Sequence, residues 1–153
     1  MTDDDFRTRV NEMPLAQRIL VGAGLVVAAV TAIYMLTTAR DLPGQIPMQY
    51  DGNGAVLWYA DRAGFWMLVL ALWFVVGFVL FALSPRSLAV AFTFFWLNVV
   101  VFAMYDLTYH QATGGGIIGL TPGVFVVLVV PGAIVTVVLA IREKSRPRPE
   151  LAP

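Results

Sequence analysis

The chain has 153 residues, of which 59% are hydrophobic and 13% are charged, against roughly a half and a quarter in soluble domains. Its ten basic and ten acidic residues leave no net charge, so nothing points to nucleic acid as a partner. The absence of cysteine excludes disulfides, thiolate metal sites and cysteine nucleophiles. This composition predicts an all-α integral membrane protein whose first partner is the lipid bilayer.

Four long apolar segments predict four transmembrane helices. The first segment carries no charge over about twenty residues, which at about 1.5 Å per residue crosses a hydrocarbon core of about 30 Å. Between the second and third segments, a tight Ser-Pro-Arg-Ser connection predicts that the two helices form an antiparallel pair. A glycine-rich turn from His110 to Thr121 is expected before the fourth. The predicted spans are 19–39, 64–83, 88–108 and 122–141.

Small residues and prolines predict how these helices pack. Gly24, Ala28 and Ala32 lie four residues apart, and such a stripe lets a second helix approach closely. Pro122 suits the first turn of the fourth helix. Pro131 and Gly132 near its middle are expected to kink it, with a neighbouring helix satisfying the carbonyl that the proline leaves without a donor.

The loop 40–63 is the longest polar, turn-rich stretch between the spans. Pro43 and Pro47 push the residues before them out of the helical region, so the first helix should end before them. Side chains from Gln45 to Tyr50 alternate with the two-residue period of a strand. Asp51-Gly52-Asn53-Gly54 is a tight turn, after which Ala55–Tyr59 can return as a second strand. The loop therefore predicts a short β-hairpin resting on the helices.

The same loop resembles the "LP-x-x-IP-x-H-aromatic…G" pattern of a bacterial and archaeal membrane family of unknown function, a domain that also opens the SdpI-type toxin-immunity proteins. The resemblance implies a membrane domain with an immunity-like role. Where the family pattern usually has a histidine, this chain has Gln49, which does not titrate near neutral pH. The matching positions are Leu42, Pro43, Ile46, Pro47, Tyr50 and Gly54.

Basic residues predict the orientation in the cell membrane. Short cytoplasmic loops are enriched in Lys and Arg. If both ends are cytoplasmic, only Arg40 and Arg62 lie in outer loops. The segment 1–18 and the tail 142–153 are then cytoplasmic, and the hairpin is extracytoplasmic. Two groups follow from this: eight inner basic residues (Arg7, Arg9, Arg18, Arg86, Arg142, Lys144, Arg146, Arg148) and an outer aromatic belt (Tyr50, Trp58, Tyr59, Trp66, Tyr105, Tyr109).

Polar residues on the third span are the candidate site. Asp106 and His110 are four residues apart at its outer end, where Gln49, Tyr50, Asp51 and Asp61 of the hairpin loop could join them to bind a cation or a peptide. The alternative is that Asp106 lies in the headgroup region and caps a loop amide or pairs with Arg62. Asn98, near mid-span, predicts an interhelical hydrogen bond.

Familiar catalytic patterns are missing. The glycines of 114–119 have no lysine after them, so they are not a phosphate loop. One histidine cannot form a histidine-rich zinc site, and no serine or threonine stands in a nucleophile setting with it. We therefore expect no enzyme activity, metal or cofactor.

The expected function is that of an immunity-like factor, a sensor or an accessory subunit whose hairpin meets a peptide, a lipid or a partner protein. The chain could also form a homo-oligomer. The alternative is a transporter or channel component with a polar path lined by Asn98 and Asp106.

Overall fold

The fold was analysed in a computed structural model. The structure describes residues 13–50, 55–84, 87–114 and 122–145, with the backbone alone at 48–50, 68, 72, 122 and 125. The predicted segment 1–18 therefore lies largely outside the described residues, as does most of the tail 142–153.

Within these described residues, four helices are long and apolar enough to cross a membrane, which confirms the predicted fold class. Each helix extends two to four residues beyond its predicted span at one end, and the first helix ends one residue short of its predicted span at the other end. One consequence is a correction: His110 does not open a turn but lies inside the third helix, which continues to Ala112. The helices are α1 (Leu15–Thr38), α2 (Arg62–Leu83), α3 (Leu88–Ala112) and α4 (Pro122–Lys144).

The third helix, α3, is the centre of the bundle and packs against α1, α2 and α4. In the apolar 18-residue stretch of α3, 33% of the residues are buried, against 6% in the corresponding stretches of α2 and α4. The predicted close approach at Gly24 is confirmed, since a Cβ there would come within 2.7 Å of the Phe94 ring and 3.3 Å of the Phe95 Cα. Absence of a side chain at Gly24 thus fixes where α1 crosses α3.

The predicted hairpin is also confirmed, as an antiparallel pair of β1 (Gln45–Tyr50) and β2 (Val56–Asp61) between α1 and α2. Its register pairs Gln45 with Asp61 and Ile46 with Ala60, with irregularities further along. Leu42 and Ile46 are fully buried against Phe65 and Tyr105, so the base of the hairpin is part of the core. We call this end of the bundle the hairpin end, and the opposite end the termini end.

Polar side chains connect the helices at the termini end. Gln17 on α1 is buried and donates to the carbonyl of Ser84, which directly follows α2. Glu143 on α4 accepts from the hydroxyl of Ser87, which directly precedes α3, at 2.6 Å and from the amide of Leu88, the first residue of α3. These bonds join α1 to the end of α2, and α4 to the start of α3, without involving the hairpin.

Two helices are irregular near the middle of the bundle. The segment Leu72–Val76 of α2 is π-helical, which inserts an extra residue into the turn. Helix α4 continues through Pro131, which lacks a donor for the carbonyl of Val127. Trp96 Nε1 of α3 donates to the carbonyl of Leu128, the residue directly after Val127, at 3.0 Å. Trp96 therefore bonds to the carbonyl next to the one that Pro131 leaves without a donor, and the predicted satisfaction of the Val127 carbonyl by a neighbouring helix stays a prediction.

Candidate functional site at the hairpin end

Asp106 is the carboxylate at the hairpin end, and the structure brings it together with His110 as predicted. His110 Nε2 lies 3.4 Å from Asp106 Oδ1, one helical turn away on α3. The same oxygen accepts a hydrogen bond of 2.9 Å from the hydroxyl of Tyr34 on α1. The side chains of Asp106 and His110 are 37% and 52% exposed, so the pair can receive a hydrogen-bonding or cationic group from outside the bundle.

A second set of polar contacts joins the same two helices. The hydroxyls of Thr38 on α1 and Tyr105 on α3 lie 2.8 Å apart. Tyr109 donates over 3.4 Å to Asp41, just after α1. Tyr105 is only 2% exposed, which corrects its predicted place in an interfacial aromatic belt. Its ring is needed in the core because it meets Tyr34 edge-on at 5.6 Å and covers the hairpin base.

The exposed surface of the hairpin is the middle of β2. Leu57, Trp58 and Tyr59 are 57%, 47% and 54% exposed, on both faces of the strand. Ile46 on β1 is buried at the base of the hairpin, whereas this middle part is exposed. Large apolar and aromatic side chains held in a fixed position are typical of recognition surfaces.

Several predicted site residues fall on parts that the structure does not describe fully. Gln49 and Tyr50 lie in β1, where their backbones pair with Trp58 and Val56, and their side chains are not described. Asp51 and Gly54 lie outside the described residues. The proposed meeting of Gln49, Tyr50 and Asp51 with Asp106 therefore stays a prediction.

The predicted alternative pairing of Asp106 with Arg62 is wrong, because Arg62 forms its hydrogen bonds with the loop instead. Arg62 Nη2 donates to the carbonyl of Leu42, and its backbone amide donates to the carbonyl of Gly44 at 3.1 Å. Asp61 beside it accepts from the Gly64 amide at 2.6 Å. Acceptors at this position satisfy free amides at a helix N-terminus, so both charged residues fasten the hairpin to the start of α2.

Of the motif residues, Leu42 and Ile46 pack in the hydrophobic core. The two prolines follow them in sequence and are partly buried. Leu42 and Ile46 are 1% and 0% exposed. Pro43 and Pro47 each follow a residue of the loop that must be extended. The motif therefore acts structurally, by bringing two apolar side chains from the loop onto the helix ends.

Asn98 forms the predicted interhelical hydrogen bond. Its Oδ1 accepts from Trp73 Nε1 of the π-helical segment at 2.8 Å, and its Nδ2 donates to the carbonyl of Phe94 at 2.8 Å. Asn98 is 1% exposed. Both ends of the amide are thus occupied within the chain, as buried polar groups require.

Sequence reasoning missed Tyr34 and Glu143. Tyr34 could have been found because Thr38 lies four residues later, which places two hydroxyls on one face near the end of the first span. An acidic residue in the last turn of a helix, as Glu143 is, opposes the dipole of its own helix. That unfavourable position indicates that the residue bonds to another helix, here to the N-terminus of α3.

Among the residues that the structure describes, no group of three or more His, Asp and Glu residues is placed to hold a metal ion. The hairpin end offers a hydrogen-bonded carboxylate, an exposed imidazole and an apolar strand, which can bind but show no activated nucleophile. A scan against protein-family models and searches of the curated proteins and of the solved structures found no match to this chain.

Proposed function

We propose that this chain is a non-catalytic protein of the plasma membrane that uses its extracytoplasmic hairpin to bind a peptide or another membrane protein. It would act as an immunity-like factor, a sensor or an accessory subunit. The resemblance of Leu42–Gly54 to the domain that opens SdpI-type immunity proteins supports the first of these roles. The proposal does not use the titrating histidine of that pattern, because Gln49 replaces it.

One observation carries the proposal: the hairpin is buried at its base and exposed in its middle. Ile46 and Leu42 are buried in the core, and β2 pairs with the strand that carries Ile46. Leu57, Trp58 and Tyr59 remain available. Preorganised aromatic side chains bind with a low entropic cost, because little mobility is lost on contact.

Photo-crosslinking tests this function in native membranes. A photoreactive amino acid replaces Trp58 in one variant, and Phe74 in the control variant. Phe74 is 75% exposed but lies in the middle of α2, where the bilayer is expected to cover it. We expect a discrete protein or peptide adduct from position 58 and only lipid adducts from position 74.

The opposite results are also informative. Lipid adducts alone at both positions would contradict partner binding by the hairpin and leave it as an interfacial anchor. The same protein adduct at both positions would move the interface to the side of α2.

Substitution of Gln49, Tyr50 or Asp51 should abolish partner binding while the protein still inserts into the membrane.

The transport alternative requires a polar path through Asn98 and Asp106. Asn98 is buried with both amide ends bonded, and a groove that passes beside it, lined by Leu97 and Val100, is almost entirely apolar. These contacts favour binding over transport. In reconstituted vesicles we therefore expect ion flux to be the same for the wild type, Asp106→Asn and Asn98→Ala, and a change in flux would favour the transporter.

A further inference from the structure

An apolar groove of about 400 Å³ runs along the side of the bundle, away from the hairpin. Helix α3 forms its floor with Thr93, Trp96 and Val100, whereas α2 and α4 form its walls. Its volume lies within the range of about 300–1,000 Å³ that is usual for ligand sites. The groove occupies the half of α3 nearer the termini end and reaches mid-span.

Both walls are irregular where they border the groove. Val76, the last residue of the π-helical segment, lines it from α2. Gly132, directly after Pro131, lines it from α4. A regular, tightly packed helix pair would close this space, so two separate backbone irregularities coincide with the site. Irregularities of this kind in helices are frequent at functional positions.

Polar atoms in the groove are already bonded to one another. The hydroxyls of Thr93 and Thr136 lie 2.9 Å apart, and Thr93 also bonds to the carbonyl of Ala89. The indole of Trp96 donates to the carbonyl of Leu128. An occupant therefore meets apolar surface and satisfied polar groups, so it must itself be apolar over this length.

The width of the groove distinguishes a hydrocarbon chain from a helix. Its lining on α4 runs from Val129 to Val137, about 12 Å at about 1.5 Å per residue. A volume of about 400 Å³ over that length gives about 6–7 Å for the centres of the atoms inside, and so a groove about 9 Å wide once an atomic radius is added on each side. A helix with its side chains is about 10–12 Å across, so a helix of a second copy does not fit inside, whereas an acyl chain does.

The end of the groove nearest the membrane surface carries a basic residue. Helical spacing places Lys144 on the same face of α4 as Ala133 and Val137, with Arg142 on the opposite face. Lys144 is exposed, about 10 Å beyond Val137. The neighbouring acid, Glu143, is bound to Ser87 and Leu88, so its charge is held at the start of α3.

We propose that this groove binds an anionic phospholipid, with one acyl chain lying between α2 and α4 on Trp96 and the phosphate near Lys144. The occupant comes from the leaflet at the termini end. Binding here is independent of the hairpin function, because the two sites lie on different parts of the bundle and share no residue.

Titration of phosphatidylglycerol into delipidated protein, followed by native mass spectrometry in detergent, tests the site. Ala133→Phe fills the groove, since Ala133 lines it and is exposed. The matched control is Ile134→Phe, at a position 58% exposed on α4 but not among the groove residues. We expect one tightly held phospholipid per chain in the wild type and in Ile134→Phe, and its loss in Ala133→Phe.

Two further variants keep the result interpretable. Val137→Phe fills the groove from another position and should also lose the lipid, with helical content by circular dichroism confirming that each variant folds. Lys144→Gln should weaken binding about fivefold relative to Arg142→Gln, the factor that corresponds to about 1 kcal/mol per basic residue near a lipid phosphate. Equal lipid retention in Ala133→Phe and Ile134→Phe would overturn the groove site, and equal affinity of Lys144→Gln and Arg142→Gln would overturn the phosphate contact.

Discussion

At the scale of single residues, glycines fix where helices meet. A Cβ built on Gly132 would lie 1.9 Å from Trp96 Cδ1 and 2.0 Å from its Nε1. The indole cannot retreat freely, because it donates to the carbonyl of Leu128 and stacks on Phe92 at 6.1 Å. Gly22 on α1 is the opposite case, since no atom lies within 4 Å of a Cβ there.

These contacts predict different results for the same substitution. Gly132→Ala should destabilise the protein by about 1–3 kcal/mol, the usual cost of overpacking. Gly22→Ala should be neutral or stabilising by up to about 1 kcal/mol, because alanine is the better helix former. Thermal unfolding in detergent, followed by circular dichroism, measures both. Equal stability of the two variants would mean that Trp96 does not pack on Gly132.

At the scale of elements, the ends of the helices are held by groups from other helices. The first amides of α3 have no partner within their own helix, and Glu143 of α4 accepts from the Leu88 amide and the Ser87 hydroxyl. A carboxylate at a helix N-terminus is also favoured by the helix dipole. Glu143 therefore connects two elements that are adjacent in space but 55 residues apart in sequence.

Removal of this carboxylate should loosen α4 from α3. Glu143→Ala is expected to lose about 1 kcal/mol of stability, typical of a lost N-terminal cap. Glu143→Gln, which keeps an acceptor oxygen, should lose less. Chemical unfolding in mixed micelles compares the two variants, and an alanine variant as stable as the glutamine variant would contradict the capping role.

The hairpin shows how an element without independent stability is held. Two-stranded hairpins are marginal in water, and this one gains its stability from Leu42 and Ile46 in the helix core. Arg62 adds bonds from the start of α2 to the loop. Neither bonding partner follows from the loop's own pattern, which indicated only strands and a turn.

At the scale of the whole molecule, four helices place the hairpin end and the termini end at opposite ends of the bundle. Helix α3 contacts each of the other three, so it organises both ends. Asp106 and the exposed part of β2 lie at one end, and Glu143 and Lys144 at the other. The two proposed binding regions therefore lie toward opposite ends of the bundle.

Orientation in the membrane can be measured with a single engineered cysteine, since the chain has none. Asn53→Cys should react with an impermeant maleimide in intact cells, because the eight-to-two distribution of basic residues predicts that the hairpin lies outside. A cysteine at Ser145, at the end of α4, should react only after the cells are opened. The reverse pattern would invert the topology and move the proposed partner site into the cytoplasm.

The sequence by itself determined the four spans, the hairpin and the Asp106–His110 proximity, because hydropathy, turn residues and helical spacing are local properties. It also indicated the close approach at Gly24, since a small-residue stripe has one main use between membrane helices. Only the tertiary structure decided that Tyr105 is core, that Tyr34 rather than Arg62 holds Asp106, and that Glu143 caps α3. These outcomes depend on which helix faces which, and in a chain that is apolar on nearly every face, periodicity gives no direction to that choice.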